Sequence, residues 1–246
     1  MPKVASNSQY RSRTGAVDDA QPNARFSHLT GLLSLPDLTY LSLTIDVGLK
    51  QEDYPEVQFA IVCDGIVGLQ HVLVDGRRSI SHLFLPGDII DFRYSGQTPG
   101  NVVCLFGAEL ALVDENCLTM LEDDAHQVRE MLGSSLIKHW GFATKHCTDL
   151  ARKSAIEKLA SYIFECQKRC PAEFNGQDRG SVHLALRRVD ISDYLGLRPE
   201  TLCRAFAKLK QKNLIEFNDI GHVHILNEDA LRKIANGSSL DKRVVA

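Results

Sequence analysis

The chain has 246 residues, a formal net charge of −3, and 44% hydrophobic and 24% charged residues. These ordinary globular values allow two small domains or one large one, and exclude a fibrous or wholly disordered chain and one that coats nucleic acid or acidic membranes with its entire surface. The N-terminus lacks the apolar run of a secretory leader and no later stretch approaches the ~20 apolar residues of a membrane span, so a cytoplasmic location is expected.

Residues 1–27 are rich in Ser, Asn, Gln and Arg and poor in large apolar side chains, and are expected to be a flexible tail. From Leu41 to Leu121 the pattern is mostly short and strand-like: TIDVGL, then VQFAIVCDGIVGLQHVLV, an Asp75-Gly76 turn, and RRSISHLFL. Val67, Leu69, His71 and Leu73 share one side of a period-2 ribbon, and Ile80, His82 and Phe84 share a face of the return strand. Pro86-Gly87-Asp88 turns the chain into IIDF, and two more apolar runs, VVCLFGAEL and LALVD, complete an antiparallel β-roll.

The period then lengthens. Val128, Leu132, Ser135, His139, Phe142, His146 and Asp149 recur every three or four residues, which predicts one long helix over 122–150 with a single mixed face whose partner is the same helix of a second copy. Ile156, Leu159, Ile163 and Cys166 predict a second helix that stops before Pro171. After the loop CPAEFNGQDRG, VDISDYLG reads as a short helix capped by Asp190 and ended by Gly196. A further helix begins at Pro199 with Arg198 before it. The two meet across Gly196-Leu197 as a helix-turn-helix. LIEFNDIGHVHIL closes as a hairpin around Asn218–Gly221, NEDALRKIA is a last helix, and 236–246 a second flexible tail. From Arg187 to Ile215 basic residues exceed acidic ones by four, which suits a localised anionic partner.

DISDYLGLRPETLCRAFAKLKQKNLI resembles the helix-turn-helix of the CRP/FNR superfamily of transcription regulators. RKSAIEKLASYI resembles that family's helix after the dimerisation helix, and DGRR with LPGDIIDF its β-roll hairpin and following strand. The similarity runs from about Leu41 to Ile234. It implies an α+β chain: an N-terminal antiparallel β-roll of the cyclic-nucleotide-binding jelly-roll type (28–121), a dimerisation helix (122–150) and a C-terminal winged helix-turn-helix (151–235). It also implies a homodimer that binds double-stranded DNA and meets RNA polymerase.

On the predicted recognition helix, Arg204 is able to pair bidentately with guanine and Glu200, four residues earlier on the same face, to accept from cytosine N4. Thr201, Lys208 and Lys210 suit phosphates. As an isolated feature, Glu200 and Arg204 would be only a surface ion pair; the turn, the hairpin and the local charge favour DNA. Family members with Ser immediately before this arginine read TTGAT-like half-sites. An arginine immediately before the glutamate goes with TGTGA-like ones. Pro199 stands at the latter position, so TTGAT-like half-sites are expected, and Cys203 occupies the place of the serine.

Cofactors are not expected. No Lys or Arg lies between Tyr94 and Val128 to neutralise a cyclic phosphate, and the seven cysteines are scattered without a CxxC pair or cluster-like spacing, which suits free thiols. His71, His82, His126, His139 and His146 leave a haem-responsive member as an alternative, and His139 and His146 are seven apart on the expected dimer seam, where they would bind a metal or fix register. Cys203, in the first turn of a helix beside Arg204, is a candidate redox switch. No HExxH, GxxxxGK[ST], GxSxG or strand-linked GxGxxG is present, so an enzyme is not expected; a β-roll enzyme or an interaction module without DNA binding is the remaining reading.

Overall fold

A computed structural model describes residues 10–14, 33, 38–93, 100–120, 125–170, 180–218 and 221–237. The chain divides into two compact units, residues 1–141 and 142–246.

The first unit is a seven-stranded antiparallel sheet of β1 (Tyr10–Thr14), β2 (Thr39–Leu43), β3 (Gly48–Leu49), β4 (Val57–Val72), β5 (Arg78–Phe84), β6 (Ile89–Asp91) and β7 (Asn101–Asp114). Its order is β1-β2-β7-β4-β5, with β3 also on β7 and β6 also on β4. Alternate residues of the long strands enter two different cores. Ala60, Val62, Leu110 and Leu112 pack with Leu41 and Leu43, whereas Phe59, Ile61, Ala111 and Val113 pack with Leu38 and Tyr40. Burial on both faces is why these strands read as nearly continuous apolar runs.

Gly65 permits the long β4–β7 pairing. Its φ is 76°, the register shifts on either side of it, and a Cβ there would lie 2.0 Å from the Gly107 carbonyl oxygen. Only glycine tolerates such an approach in the left-handed region.

Several expectations need correction. Tyr10–Thr14 pairs with β2 from Tyr10↔Leu43 to Thr14↔Thr39 and is a strand, not tail; residues 1–9, 15–27 and 238–246 lie outside the described residues. In TIDVGL only Gly48–Leu49 is strand, because the chain turns at Asp46 with φ 68°. The two apolar runs after the loop are one 14-residue strand. The face shared by Ile80, His82 and Phe84 is broken by a bulge: Leu69 opposes His82 while Gln70 opposes Ile80, leaving Ser81 as the extra residue. Its hydroxyl donates to the Leu69 carbonyl, Ile80 and Leu83 turn into the core, and His82 and Phe84 are left half-buried. The bulge lies opposite the β4 face expected from Val67, Leu69, His71 and Leu73, and Gln70 is buried beside it.

Helix α1 (Glu115–Thr119) is capped by Asp114, whose carboxylate accepts from the Cys117 N–H at 2.8 Å. Helix α2 (Ala125–Arg152) follows, unbroken over 28 residues. Val128, Met131 and Leu132 in its first half pack on the core containing Leu38 and Tyr40.

The second unit holds α3 (Ala155–Arg169), β8 (Ser181–His183), α4 (Arg188–Leu195), α5 (Pro199–Gln211), β9 (Ile215–Asn218), β10 (His222–Ile225) and α6 (Glu228–Ala235). The Glu157 carboxylate accepts from the Ser154 N–H and opens α3. Leu159, Tyr162, Ile163, Leu195, Leu202, Phe206 and Leu231 form the buried interior. A three-stranded sheet, β8-β10-β9, stands beside it. The expected hairpin is therefore accompanied by a third strand from a stretch without strand periodicity.

Candidate nucleic-acid interface

The helix pair is built as its sequence requires in all but one respect. Gly196 ends α4 with φ 60° and ψ 41°, and Pro199 opens α5 after the extended Arg198. Asp190, however, is not the cap. Arg187 occupies that position, and Asp190 sits fully buried one turn in, its carboxylate gripping the Arg187 guanidinium at 2.6 and 3.1 Å. A buried carboxylate persists only with such a partner, so this ion pair fixes the entry to the motif.

Helix α5 is divided lengthwise. Leu202, Ala205, Phe206 and Leu209 are buried, whereas Pro199, Glu200, Cys203, Arg204 and Lys208 are exposed and Thr201 half-buried. The chain thus brings the expected contact residues onto the outer side of one helix. Arg188 of α4 lies over the Phe206 ring at 3.7 Å and over Phe217 at 5.1 Å. Burial lowers its pKa, and the Cys203 thiol acts in the opposite direction. The spacing reading did not find this cation, because its place depends on two aromatic rings distant in sequence.

In the wing, β8 and β10 set His183 opposite His222, with ring centroids 4.5 Å apart. Burial, then the neighbouring His222, holds the His183 imidazole below its ordinary value.

On α2 the expected face is corrected. His139 Nδ1 meets His82 Nε2 at 2.7 Å in the first unit. In the second, Phe142 lies under the Arg169 guanidinium at 4.1 Å and His146 stacks on Tyr194 at 4.1 Å. That face is committed within the chain, so His139 and His146 do not form a seam. The opposite face carries Leu136, Ile137 and Trp140, each at least 70% exposed, with exposed Gly133, Thr144 and Cys147 at matching helical spacing. No group of three or more potential metal ligands occurs among the described residues, and none of the described helices is long and apolar enough to cross a membrane.

A helix pair with a divided second helix, a three-stranded wing and an antiparallel β-sheet unit define a winged helix-turn-helix regulator. Residues 157–234 match the Crp-like helix-turn-helix domain. The nitrogen fixation regulation protein FixK of Rhizobium meliloti (strain 1021) is 28% identical over 71% of this chain and 77% of its own length. The transcriptional activatory protein AadR of Rhodopseudomonas palustris is 32% identical over 62% and 63%. The structure of FixK2 from Bradyrhizobium japonicum superposes with a TM-score of 0.67 at 26% identity, over 80% of this chain and 96% of that one. Residues 157–234 thus carry a Crp-like helix-turn-helix domain, and the chain as a whole is similar to DNA-binding transcription regulators of the CRP/FNR superfamily rather than to enzymes.

Proposed function

We propose that the chain acts as a homodimer on a palindromic DNA site with TTGAT-like half-sites, read by Glu200 and Arg204 with Pro199, Thr201, Cys203 and Lys208 around them. The observation that carries this reading is the lengthwise division of α5, which leaves those side chains free to enter a groove while Leu202, Ala205, Phe206 and Leu209 anchor the helix. The dimer reading rests on Leu136, Ile137 and Trp140, an exposed apolar patch on about one turn of α2 that a second copy of the helix would cover. Residues 28–121 then form the sensor-type domain, 122–150 the dimerisation helix and 151–235 the DNA-binding domain. The similarity to the transcriptional activatory protein AadR supports activation as its effect on transcription, and we place that action in the cytoplasm through contact with RNA polymerase.

Selection of bound sequences from a random duplex pool at ~150 mM salt, where nonspecific phosphate attraction is weakened, tests the proposal. Enrichment of a palindrome with half-sites about one helical turn apart supports it; no enrichment refutes it.

Cys203 supports a second reading, redox control. Of the seven cysteines, Cys104, Cys117, Cys166 and Cys170 are buried, Cys63 is half-buried, and Cys147 and Cys203 are exposed. Oxidation of Cys203 by two molecules of peroxide, through the sulfenic to the sulfinic acid with release of two waters, would add negative charge beside DNA phosphates and weaken binding.

A further inference from the structure

The second unit contains a cavity of about 200 Å³ between the last turns of α2, α3 and α6, away from the outer face of α5. Its walls carry Lys145, Lys153, Lys168, Arg169 and Arg232 against a single carboxylate, Glu165. Phe142 and Phe164 supply the apolar wall. None of these residues has a part in the DNA-reading helix.

The cations are not equally committed. Lys153 bonds Asp149 and Ser161, each at 2.7 Å, and Arg169 bonds Glu165 at 2.6 Å with only 7% of its side chain exposed. Arg232 pairs with Glu228, but both side chains are 54% exposed, and the guanidinium lies 4.5 Å above the Phe164 ring at the cavity wall. Lys145 is 57% exposed beside Asp149. Lys168 is exposed and has no ion pair among the described residues. Exposed pairs exchange at little cost, and Lys153 keeps the mostly buried Asp149 paired when Lys145 leaves it, so Lys145, Lys168 and Arg232 are available to an anion.

His146 provides an independent observation. It is 91% buried, lines the cavity, and its Nε2 has no hydrogen-bond partner among the described residues. An orphaned buried ring nitrogen costs stability unless something supplies the missing bond. The helix C-termini around the cavity oppose an anion, but that effect is screened and confined to the last turn. The excess of wall cations outweighs it.

We propose that this cavity binds a small dianion of the phosphate or phosphate-ester class, held by Lys145, Lys168 and Arg232 with His146 Nε2 at its floor. The volume is below the roughly 300–1,000 Å³ of drug-sized sites, which fits a small ligand. Arg and Lys are the side chains that recognise phosphate oxygens. The groups around His146 set a proton signature. Burial holds its imidazole below the ordinary value; Glu165 of α3 and Asp149 of its own helix oppose this, as does the Tyr194 carbonyl of α4, while Lys145 adds to it. A dianion beside Nε2 stabilises the imidazolium, so binding takes up a proton and tightens as pH falls from neutrality to below the ordinary histidine value.

Calorimetric titration of the full chain at constant ionic strength tests this. Inorganic phosphate at pH 7 is expected to bind saturably, one per chain, with affinity unchanged by Arg204→Ala and weakened at least tenfold by Lys168→Ala with Arg232→Ala. Both of these substitutions are at exposed side chains and leave the core intact. Sulfate, which does not titrate in this range, is expected to bind more tightly at pH 6 than at pH 7.5 in the wild type but not in His146→Phe. Absence of saturable binding, or equal affinity in the double variant, overturns the proposal. Displacement of phosphate from the Arg204→Ala protein by a random duplex would assign the site to DNA backbone and overturn it equally.

Discussion

Replacing Gly65 by alanine is expected to unfold the first unit under conditions where the second survives. Alanine at φ 76° costs about 1–2 kcal/mol from backbone sterics alone. Its Cβ would also lie 2.0 Å from the Gly107 oxygen, 2.5 Å from the Phe106 oxygen and 2.6 Å from the Ala108 Cα, all backbone atoms that cannot rotate away. Restoring ordinary contact pushes β7 outward by more than an ångström, which strands buried ladder groups at ~1–3 kcal/mol each. The total, about 4 kcal/mol or more, is a large part of a typical 5–15 kcal/mol stability. Far-ultraviolet circular dichroism in urea follows the loss of the first unit's sheet as a separate transition. Gly107→Ala is the control, because a Cβ there meets nothing within 4 Å. A Gly65→Ala loss below about 1 kcal/mol, or one matched by Gly107→Ala, would refute the reasoning.

Arg204→Ala is expected to weaken specific DNA binding by ~1–3 kcal/mol and relax one base position, whereas Lys208→Ala should lower affinity uniformly and reduce the salt slope by about one; binding assays on matched and mismatched duplexes separate them. Trp140→Glu should shift the chain toward monomer in sedimentation, and an unchanged mass would remove the apolar stripe from the dimer reading. Peroxide should weaken DNA binding in the wild type and in Cys147→Ser but not in Cys203→Ser; loss of sensitivity in Cys147→Ser instead would relocate the switch. His146 and His183 are both held below their ordinary value by burial, so their unfolded forms bind protons first. Stability of the second unit is therefore expected to be full above pH ~6.5 and to fall as pH drops below it, and a flat profile between pH 7 and 5 would contradict this.

Turn residues and periodicity made the helix pair legible: Gly196 and Pro199 each act through backbone geometry that depends on no distant neighbour. The outer side of α5 is legible in the same way, from the four-residue spacing of Glu200 and Arg204. Asp190 was misread because a carboxylate near a helix start looks like a cap, and only the position of Arg187 reveals a buried ion pair instead. The face of α2 was misjudged for a similar reason. Periodicity distinguishes the Val128–His146 side from the Leu136–Trp140 side, but what covers each is decided by the sheet and by Arg169 and Tyr194, which lie elsewhere in sequence. Strand β8 carries no alternation over three residues, and the extra residue at Ser81 is visible only once two strands are paired.

The lengthwise division of α5 also bears on how such a regulator diverges. Side chains at Pro199, Glu200, Cys203, Arg204 and Lys208 contribute little to the interior, so exchanges there change stability by only about ±0.5 kcal/mol in the typical surface case. The buried residues between them hold the helix in place whatever the outer ones become. A lineage can therefore acquire a new operator preference through single substitutions without passing through an unfolded intermediate, and Cys203 in a serine position has the form of one such step.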